Sequence, residues 1–349
     1  MRAIVVEEPR KITLREMPDP KLGPDDVMIA PHSTGICGTD MHVYLGEMND
    51  RVRFPAILGH ESAGVVIDVG RNVKRLKPGD RVAIDPVLSC GQCAFCREGK
   101  PNCCPKVNVL GIDSFGAMAE RVVVPATQAF PISPQLEMDH CVLVELYSVA
   151  VHASRRTGVR VGDTLVIFGA GKLGLALLDV FRHTGASWIA VVDVAPERLA
   201  NARKVGADLA IDAREQDPVK VILDQTEGLG ADKVVEAVGH YIPVQGGKAP
   251  TEQAFDAMKP GGQVTVLGQG AQQDSVHWRP FVLKEGTVVA SRLNVGDVPR
   301  AIRLLEQGKL HPELLITHQL RPASAADGFR WLAEHRPDVI KVCLDLRAW

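Results

Sequence analysis

Four cysteines at close spacing carry the plainest chemistry in this chain. Cys90-x2-Cys93-x2-Cys96-x7-Cys104 gathers four thiols into fifteen residues of a glycine-containing, charged segment. Four thiolates suit tetrahedral zinc, and a site closed by four protein ligands leaves no position for a substrate, so the expected role is structural. Free thiols or an iron–sulfur site are the competing uses of such a cluster. Cys103 is expected to be a non-ligand neighbour, while Cys141 and Cys343 lie in apolar runs where a thiol packs as a small hydrophobe. Two further fragments, Gly35-Ile36-Cys37-Gly38-Thr39-Asp40-Met41-His42 and Gly59-His60-Glu61, set metal-ligand types beside glycines that let backbone bend around an ion. Taken alone, each would pass equally for a core cysteine or an ordinary histidine.

The third motif concerns a dinucleotide. Thr164-Leu165-Val166-Ile167-Phe168 runs directly into Gly169-Ala170-Gly171-Lys172-Leu173-Gly174, which fits G-x-G-x-x-G. Glycines there serve the tight turn, the close approach of backbone to pyrophosphate and helix packing, while the helix N-terminus faces the anion. Leu173, Ala176, Leu177, Val180 and Phe181 follow the spacing of one buried helix face. The next strand ends at Asp193, nineteen residues after Gly174, where a carboxylate can accept from adenosine ribose hydroxyls.

The elements that must hold these groups change character along the chain. Up to about His152, short β-rich runs (Ala3 to Val6, Val27 to Pro31, Ala63 to Val69, Arg81 to Ile84, Arg121 to Val124) are broken by Gly and Pro, which predicts an irregular, mostly antiparallel domain. From Asp163 to Arg292, the runs Thr164 to Phe168, Trp188 to Val192, Val234 to Val238, Val264 to Leu267 and Thr287 to Ala290 alternate with helical stretches. That alternation predicts an α/β, parallel, doubly wound sheet. Gly239 to Pro250 looks like an inserted loop. A helical run at Val298 to Gln307 and a closing strand at Val339 to Leu344 make a tail expected to pack back on the first domain.

The order and spacing of Cys37-Gly38-Thr39-Asp40, Gly59-His60-Glu61, Lys77-Pro78-Gly79-Asp80-Arg81-Val82, the four-cysteine lobe and Gly169 to Gly174 resemble the zinc-containing medium-chain alcohol dehydrogenase family, in the branch of sorbitol-type polyol and threonine dehydrogenases. The likeness covers nearly the whole chain. It implies a GroES-like, β-rich catalytic domain over 1–153, a Rossmann domain over 154–294 and a return of 295–349 to the catalytic domain, assembled as a homodimer or homotetramer. It also implies that Cys37 and His60 are catalytic zinc ligands, with Asp40 orienting the histidine. Glu145 is the counterpart of the branch's ligand glutamate and Glu61 the competing ligand. Leu146 departs from the pattern, since the branch commonly has proline there. Gly169, Gly171, Lys172, Leu173, Gly174, Asp193, Arg198, Leu267 and Gly268 correspond to the cofactor-binding set, with Arg198 along the adenosine.

Two zincs per chain and NAD are therefore the expected cofactors. Zinc would act as a Lewis acid on the substrate oxygen while hydride passes between a secondary alcohol and nicotinamide. The likeness also suggests that Thr39 accepts the substrate proton and His42 relays it through ribose hydroxyls. The substrate itself is open among polyols, sugar acids, cyclitols and threonine. A zinc-free quinone or enoyl reductase is opposed by Cys37, His60 and Glu145, and a non-catalytic, zinc-stabilised nucleotide-binding protein is the rival from another class. Bulk properties agree with a small-molecule partner. At 349 residues two domains are natural, and a net charge of -2 gives no broad field for nucleic acid or anionic membrane. An acidic pair, Glu7-Glu8, interrupts any signal-peptide core, and no stretch is apolar and long enough to span a bilayer, so a cytoplasmic location is expected.

Overall fold

Apolar runs without polar alternation suit strands covered on both faces, and Thr164–Phe168 and Trp188–Asp193 accordingly lie inside a six-stranded sheet, with a strand on either side of each. The spatial order is Leu209–Asp212, Trp188–Asp193, Thr164–Phe168, Ala231–Glu236, Met258–Val266 and Thr287–Ala290, and every neighbouring pair is parallel. The chain winds outward in one direction from Thr164–Phe168 and then in the other, which opens a crevice at the carboxyl ends of the central strands. This computed structural model describes residues 1–239, 248–270 and 276–349. Most of the loop expected at Gly239 to Pro250, residues 240–247, thus lies outside the described residues.

Local chemistry sets the helix ends. Pro196–Val205 begins on proline and stops at Gly206, whose φ of 115° is left-handed. Asp217 accepts from the Val219 and Lys220 N–H groups at 2.9 and 3.3 Å and so caps Pro218–Gln225. The strand expected at Val234 to Val238 runs instead over Ala231–Glu236. Glu236 accepts from the N–H groups of Val238 and Gly239 at 2.7 and 2.9 Å, and that turn ends the strand.

The chain divides into two compact units, Met1–Ser148 with Leu293–Gly308 and Ile316–Trp349, and Val149–Arg292 with Lys309–Leu315. The divisions expected at 153/154 and 294/295 differ from this by a few residues, and the tail does not return as one piece, because 309–315 belongs to the second unit. The same segment corrects the reading of the helix Lys172–Phe181. Every residue from Gly174 to Phe181 is buried, not one face, while Leu173 is only half-buried. Asp179, on the face expected to meet water, accepts from His311 N at 2.7 Å and pairs with His311 Nδ1 at 2.9 Å.

The first unit is built on a seven-stranded sheet in which Ile316–Leu320, Lys341–Asp345, Asp26–Gly35, Glu61–Val69, Arg81–Ile84 and Ala129–Pro131 follow one another, with Val122–Pro125 also on Asp26–Gly35. Lys341–Asp345 pairs antiparallel with Asp26–Gly35, Cys343 opposite Gly35. Cys141 and Cys343 are buried here as expected of small hydrophobes, and burial pushes each thiol up to about 12. No helix among the described residues is long and apolar enough to cross a membrane.

Candidate active site and metal centres

The lobe between the short strands Val87–Leu88 and Asn108–Val109 brings the four spaced cysteines together. Gly91 and Gly99, at φ of 70° and 74°, supply left-handed turns on either side of the helix Ala94–Arg97. Ligand atoms of Cys90, Cys93, Cys96 and Cys104 all lie within 4.8 Å of one another, with Cys93 and Cys96 sulfurs 3.5 Å apart. Zinc–sulfur bonds of about 2.3 Å in a tetrahedron require sulfur–sulfur distances of roughly 3.8 Å, so the lobe fits the ion. Backbone N–H groups of Gln92 and Cys93 draw the Cys90 thiol down to about 6, which favours the thiolate. Cys103 is exposed and outside this group.

The second centre forms where Asp26–Gly35 and Glu61–Val69 pair, Gly35 opposite Glu61. Gly59 sits at φ of 96°, and a Cβ there would press on Met118 and Thr34, both at 2.9 Å, so only glycine delivers His60 in this position. Cys37 precedes the helix Gly38–Leu45, and its N–H donates to Asp40 Oδ2 at 2.7 Å. The ligand atoms of Cys37, His60 and Glu61 lie within 4.8 Å of one another. Glu145 is not in that group; it stands buried at the start of the helix Val144–Thr157. Burial pushes the Glu145 carboxyl up to about 8, against the pull of His60 and with repulsion from Cys37, Asp85 and Asp40.

Asp40 Oδ1 stands 3.4 Å from His60 Nδ1, in Coulombic reach but beyond an ordinary hydrogen bond. Burial opposes charge on His60, yet Asp40 and the Cys37 thiolate outweigh it and hold the imidazole well above its usual pKa. Asp40 Oδ1, His60 Nδ1 and Glu61 Oε1 are buried without hydrogen-bond partners among the described residues. Such orphaned atoms around a sulfur, an imidazole and a carboxylate are the donor set of a zinc site.

Two partners in this centre were not visible in the sequence. Lys341 is fully buried against Glu61, donating to Glu61 Oε2 and, at 3.1 Å, to Ile36 O. A lysine inside the apolar run Val339 to Leu344 was the available signal. Glu47 holds His42 Nδ1 at 2.5 Å. Thr39 Oγ1 lies 4.0 Å from the Cys37 sulfur.

In the second unit the fingerprint glycines have separate tasks. Gly169 is at φ of 101°, a Cβ on Gly174 would overlap the Gly169 carbonyl, and a Cβ on Gly171 would meet nothing within 4 Å. Gly171 and Lys172 thus open a helix whose N-terminus has no side-chain cap and has room for an anion. Asp193 accepts from the N–H groups of Ala170, Val194 and Ala195 at 2.6, 2.8 and 2.9 Å. Arg198 Nε is buried with no hydrogen-bond partner among the described residues. Leu267 and Gly268 both donate to Glu236 O at the ends of adjacent strands, 2.9 and 3.2 Å away.

A parallel sheet with a glycine-rich crevice, a four-cysteine lobe and a cysteine–histidine–carboxylate centre are the features of a zinc-binding dehydrogenase. Residues 23–134 match the alcohol dehydrogenase GroES-like domain and 173–307 the zinc-binding dehydrogenase domain. Sorbitol dehydrogenase of Bacillus subtilis is 32% identical over 98% of this chain and 96% of its own. Among solved structures, the alcohol dehydrogenase rspB of Escherichia coli CFT073, complexed with NADH, superposes with a TM-score of 0.90 at 30% identity, covering 99% of both chains. A zinc-binding dehydrogenase of Sinorhizobium meliloti bound to NADP gives 0.91 at 29% identity over 99% of this chain and 98% of the other. The chain belongs to the zinc-containing medium-chain dehydrogenase family, with its GroES-like and Rossmann domains. It is thereby an oxidoreductase of a family that acts on CH–OH groups with zinc and a nicotinamide dinucleotide as cofactors.

Proposed function

We propose that this chain transfers a hydride between a secondary alcohol, of the polyol or sugar-acid kind, and NAD, using one catalytic and one structural zinc. The observation that carries the reading is the group of half-buried Cys37 with buried His60 and Glu61, with orphaned polar atoms and Asp40 behind the imidazole. Zinc held there supplies Lewis-acid polarisation of the substrate oxygen. Cys37 and His60 bind the ion, and Glu61 and Glu145 compete for the remaining protein position. Asp40 fixes the ring of His60. Thr39 takes the proton from the substrate hydroxyl and His42, steadied by Glu47, passes it to solvent.

The preference for NAD rests on Asp193. Three backbone N–H groups hold its carboxylate at the end of its strand, and Val194-Ala195 offer no cation to a 2′-phosphate. The test is NADH formation across polyols, aldonates, inositols and threonine, run with NAD and NADP on protein of known zinc content. The expected result is two zincs per chain, turnover on one substrate class and NAD favoured. Asp193→Asn, which keeps the side-chain shape, should narrow the gap to NADP by about tenfold, because like-charge repulsion of this kind is worth more than a kcal/mol. Wild type that already favours NADP removes the role given to Asp193, and a single zinc with no turnover supports a non-catalytic protein.

A second copy of the chain is the proposed macromolecular partner. The edge strand Thr287–Ala290 exposes Val288, and the helix Trp278–Leu283 exposes Trp278, Val282 and Leu283. An apolar open edge of this kind is suited to pairing. Sedimentation should show an oligomer that Val288→Asp shifts toward monomer; monomeric wild type contradicts the proposal.

A further inference from the structure

Three cations converge at the amino ends of the six-stranded sheet, where neither hydride transfer nor the metal centres give them a task. Arg160, Lys233 and Lys259, with Asp163 and Asp232, line a cavity of about 300 Å³ that lies wholly within the second unit. Small-molecule sites begin at that size. The register of the sheet builds one wall, since Lys233 stands opposite Gln263 and Gln263 opposite Thr287, which puts the three side chains on one face. The loop before Thr164–Phe168 builds another, turning where the Asp163 carboxylate accepts from Arg160 N at 2.8 Å. Position 262 must be glycine, because a Cβ there would press on Met258 at 2.7 Å and on the Lys259 carbonyl at 2.9 Å. The carboxylates are already engaged. Asp232 pairs through Oδ1 with Lys259 and accepts through Oδ2 from Thr164 N and Oγ1 at 2.9 and 2.7 Å. Among the described residues Arg160 and Lys233 are then left without an ion pair, and the Lys233 ammonium has one long hydrogen bond, 3.4 Å, to Gln263 Oε1. Burial pushes the Lys233 pKa down, the charges of Arg160 and Lys259 push it the same way, and the two carboxylates only partly oppose them. Unpaired cations that share a cavity repel each other, and an oxyanion between them turns that repulsion into two charge-assisted contacts.

We propose that this cavity binds the phosphate group of a small molecule, held between the Arg160 guanidinium and the Lys233 ammonium with Lys259 beside it. Phosphate suits the site because it carries two charges and accepts from donors arriving in different directions, and a guanidinium fork matches a pair of its oxygens. Asp163 lines the cavity, whereas Gly169 lies beyond the other end of the strand Thr164–Phe168. The site is therefore separate from the fingerprint turn, and its ligand does not compete with the dinucleotide. The inference stands apart from the zinc reading and from the choice of alcohol.

The probe is inorganic phosphate, titrated calorimetrically into the zinc-loaded enzyme at constant ionic strength, with the dinucleotide saturating so that the fingerprint helix is occupied. One phosphate per chain is expected, with a Kd of about 1 mM or tighter, since free phosphate forgoes the contacts that the rest of the ligand would make. Arg160→Ala and Lys233→Met should each weaken it by about tenfold or more, and Asp163→Asn should tighten it by about threefold. Lys220→Met, which removes an exposed cation paired with Asp224 on another helix, should change nothing. The KM for the dinucleotide should be the same in Arg160→Ala as in wild type. Absence of saturable binding overturns the proposal, and so does phosphate that the dinucleotide displaces or that Lys220→Met weakens equally. Succinate bound as tightly as phosphate removes the phosphate assignment. Undiminished binding in Arg160→Ala would place the anion elsewhere, and because Arg160 is exposed, that arm decides the matter if Lys233→Met does not fold.

Discussion

Cys37→Ser, and separately His60→Ala, are expected to lower kcat by roughly 10³-fold or more and to reduce zinc from two per chain to one. Polarisation of a substrate oxygen by a metal contributes several kcal/mol at the transition state, and each 1.4 kcal/mol or so is a factor of ten in rate. Cys37, half-buried, and His60, buried, lie in a group whose remaining member, Glu61, cannot hold the ion alone, and Glu145 stands outside that group. The fold should survive. Cys37 lies outside the sheet at a helix start and serine keeps its size, while His60, buried, directly precedes the strand Glu61–Val69, so His60→Ala leaves one ring-sized gap outside that strand. Metal analysis and steady-state rates on the same preparation decide the outcome. Full zinc with lost turnover would assign Cys37 to catalysis without metal binding, and retained turnover would move the active centre elsewhere.

The second large effect is on stability. Cys93→Ser or Cys96→Ser should also leave one zinc per chain, but with the melting temperature down on the order of 10 °C and the catalytic ion retained. Of residues 90–107 only Asn102 and Cys104 are buried, so this lobe has almost no apolar core of its own. Its shape depends on the ion, and metal binding there contributes directly to folding. Differential scanning fluorimetry with zinc quantification tests this. An unchanged melting temperature and two zincs would contradict the structural assignment.

The parts of the molecule that were legible in the sequence are those fixed over short chain distances. The four cysteines span fifteen residues, and the glycine fingerprint sits between a strand and a helix, so spacing alone constrained their geometry. The strand Leu209–Asp212 was missed because four residues, three of them facing neither core nor water cleanly, carry no usable period. The helix Lys172–Phe181 was read as one-faced because nothing local reveals that His311 covers Asp179. The carboxylates were harder still. Both Glu61 and Glu145 could be named as candidates, but the ion pair that Glu61 makes is with Lys341, which lies 280 positions away. Tertiary contacts at that range leave only an anomaly, a lysine among apolar residues, for the reader of a sequence to notice.

That long reach also sets an order of assembly. The unit holding both metal centres takes residues from three stretches of chain, and the strand Lys341–Asp345 lies inside its sheet, between Ile316–Leu320 and Asp26–Gly35. At about 5–20 residues per second of synthesis, Lys341 leaves the ribosome roughly 15–60 s after Glu61. The cysteine lobe has all four of its thiols available as soon as Cys104 emerges. The cysteine–histidine centre cannot reach its present form until residue 345 has been made and the closing strand is inserted. During that interval the nascent chain carries Cys37 and His60 without the strand that pairs with Asp26–Gly35, so the four-cysteine lobe has all its candidate ligands and its short chain span before the cysteine–histidine centre has its sheet.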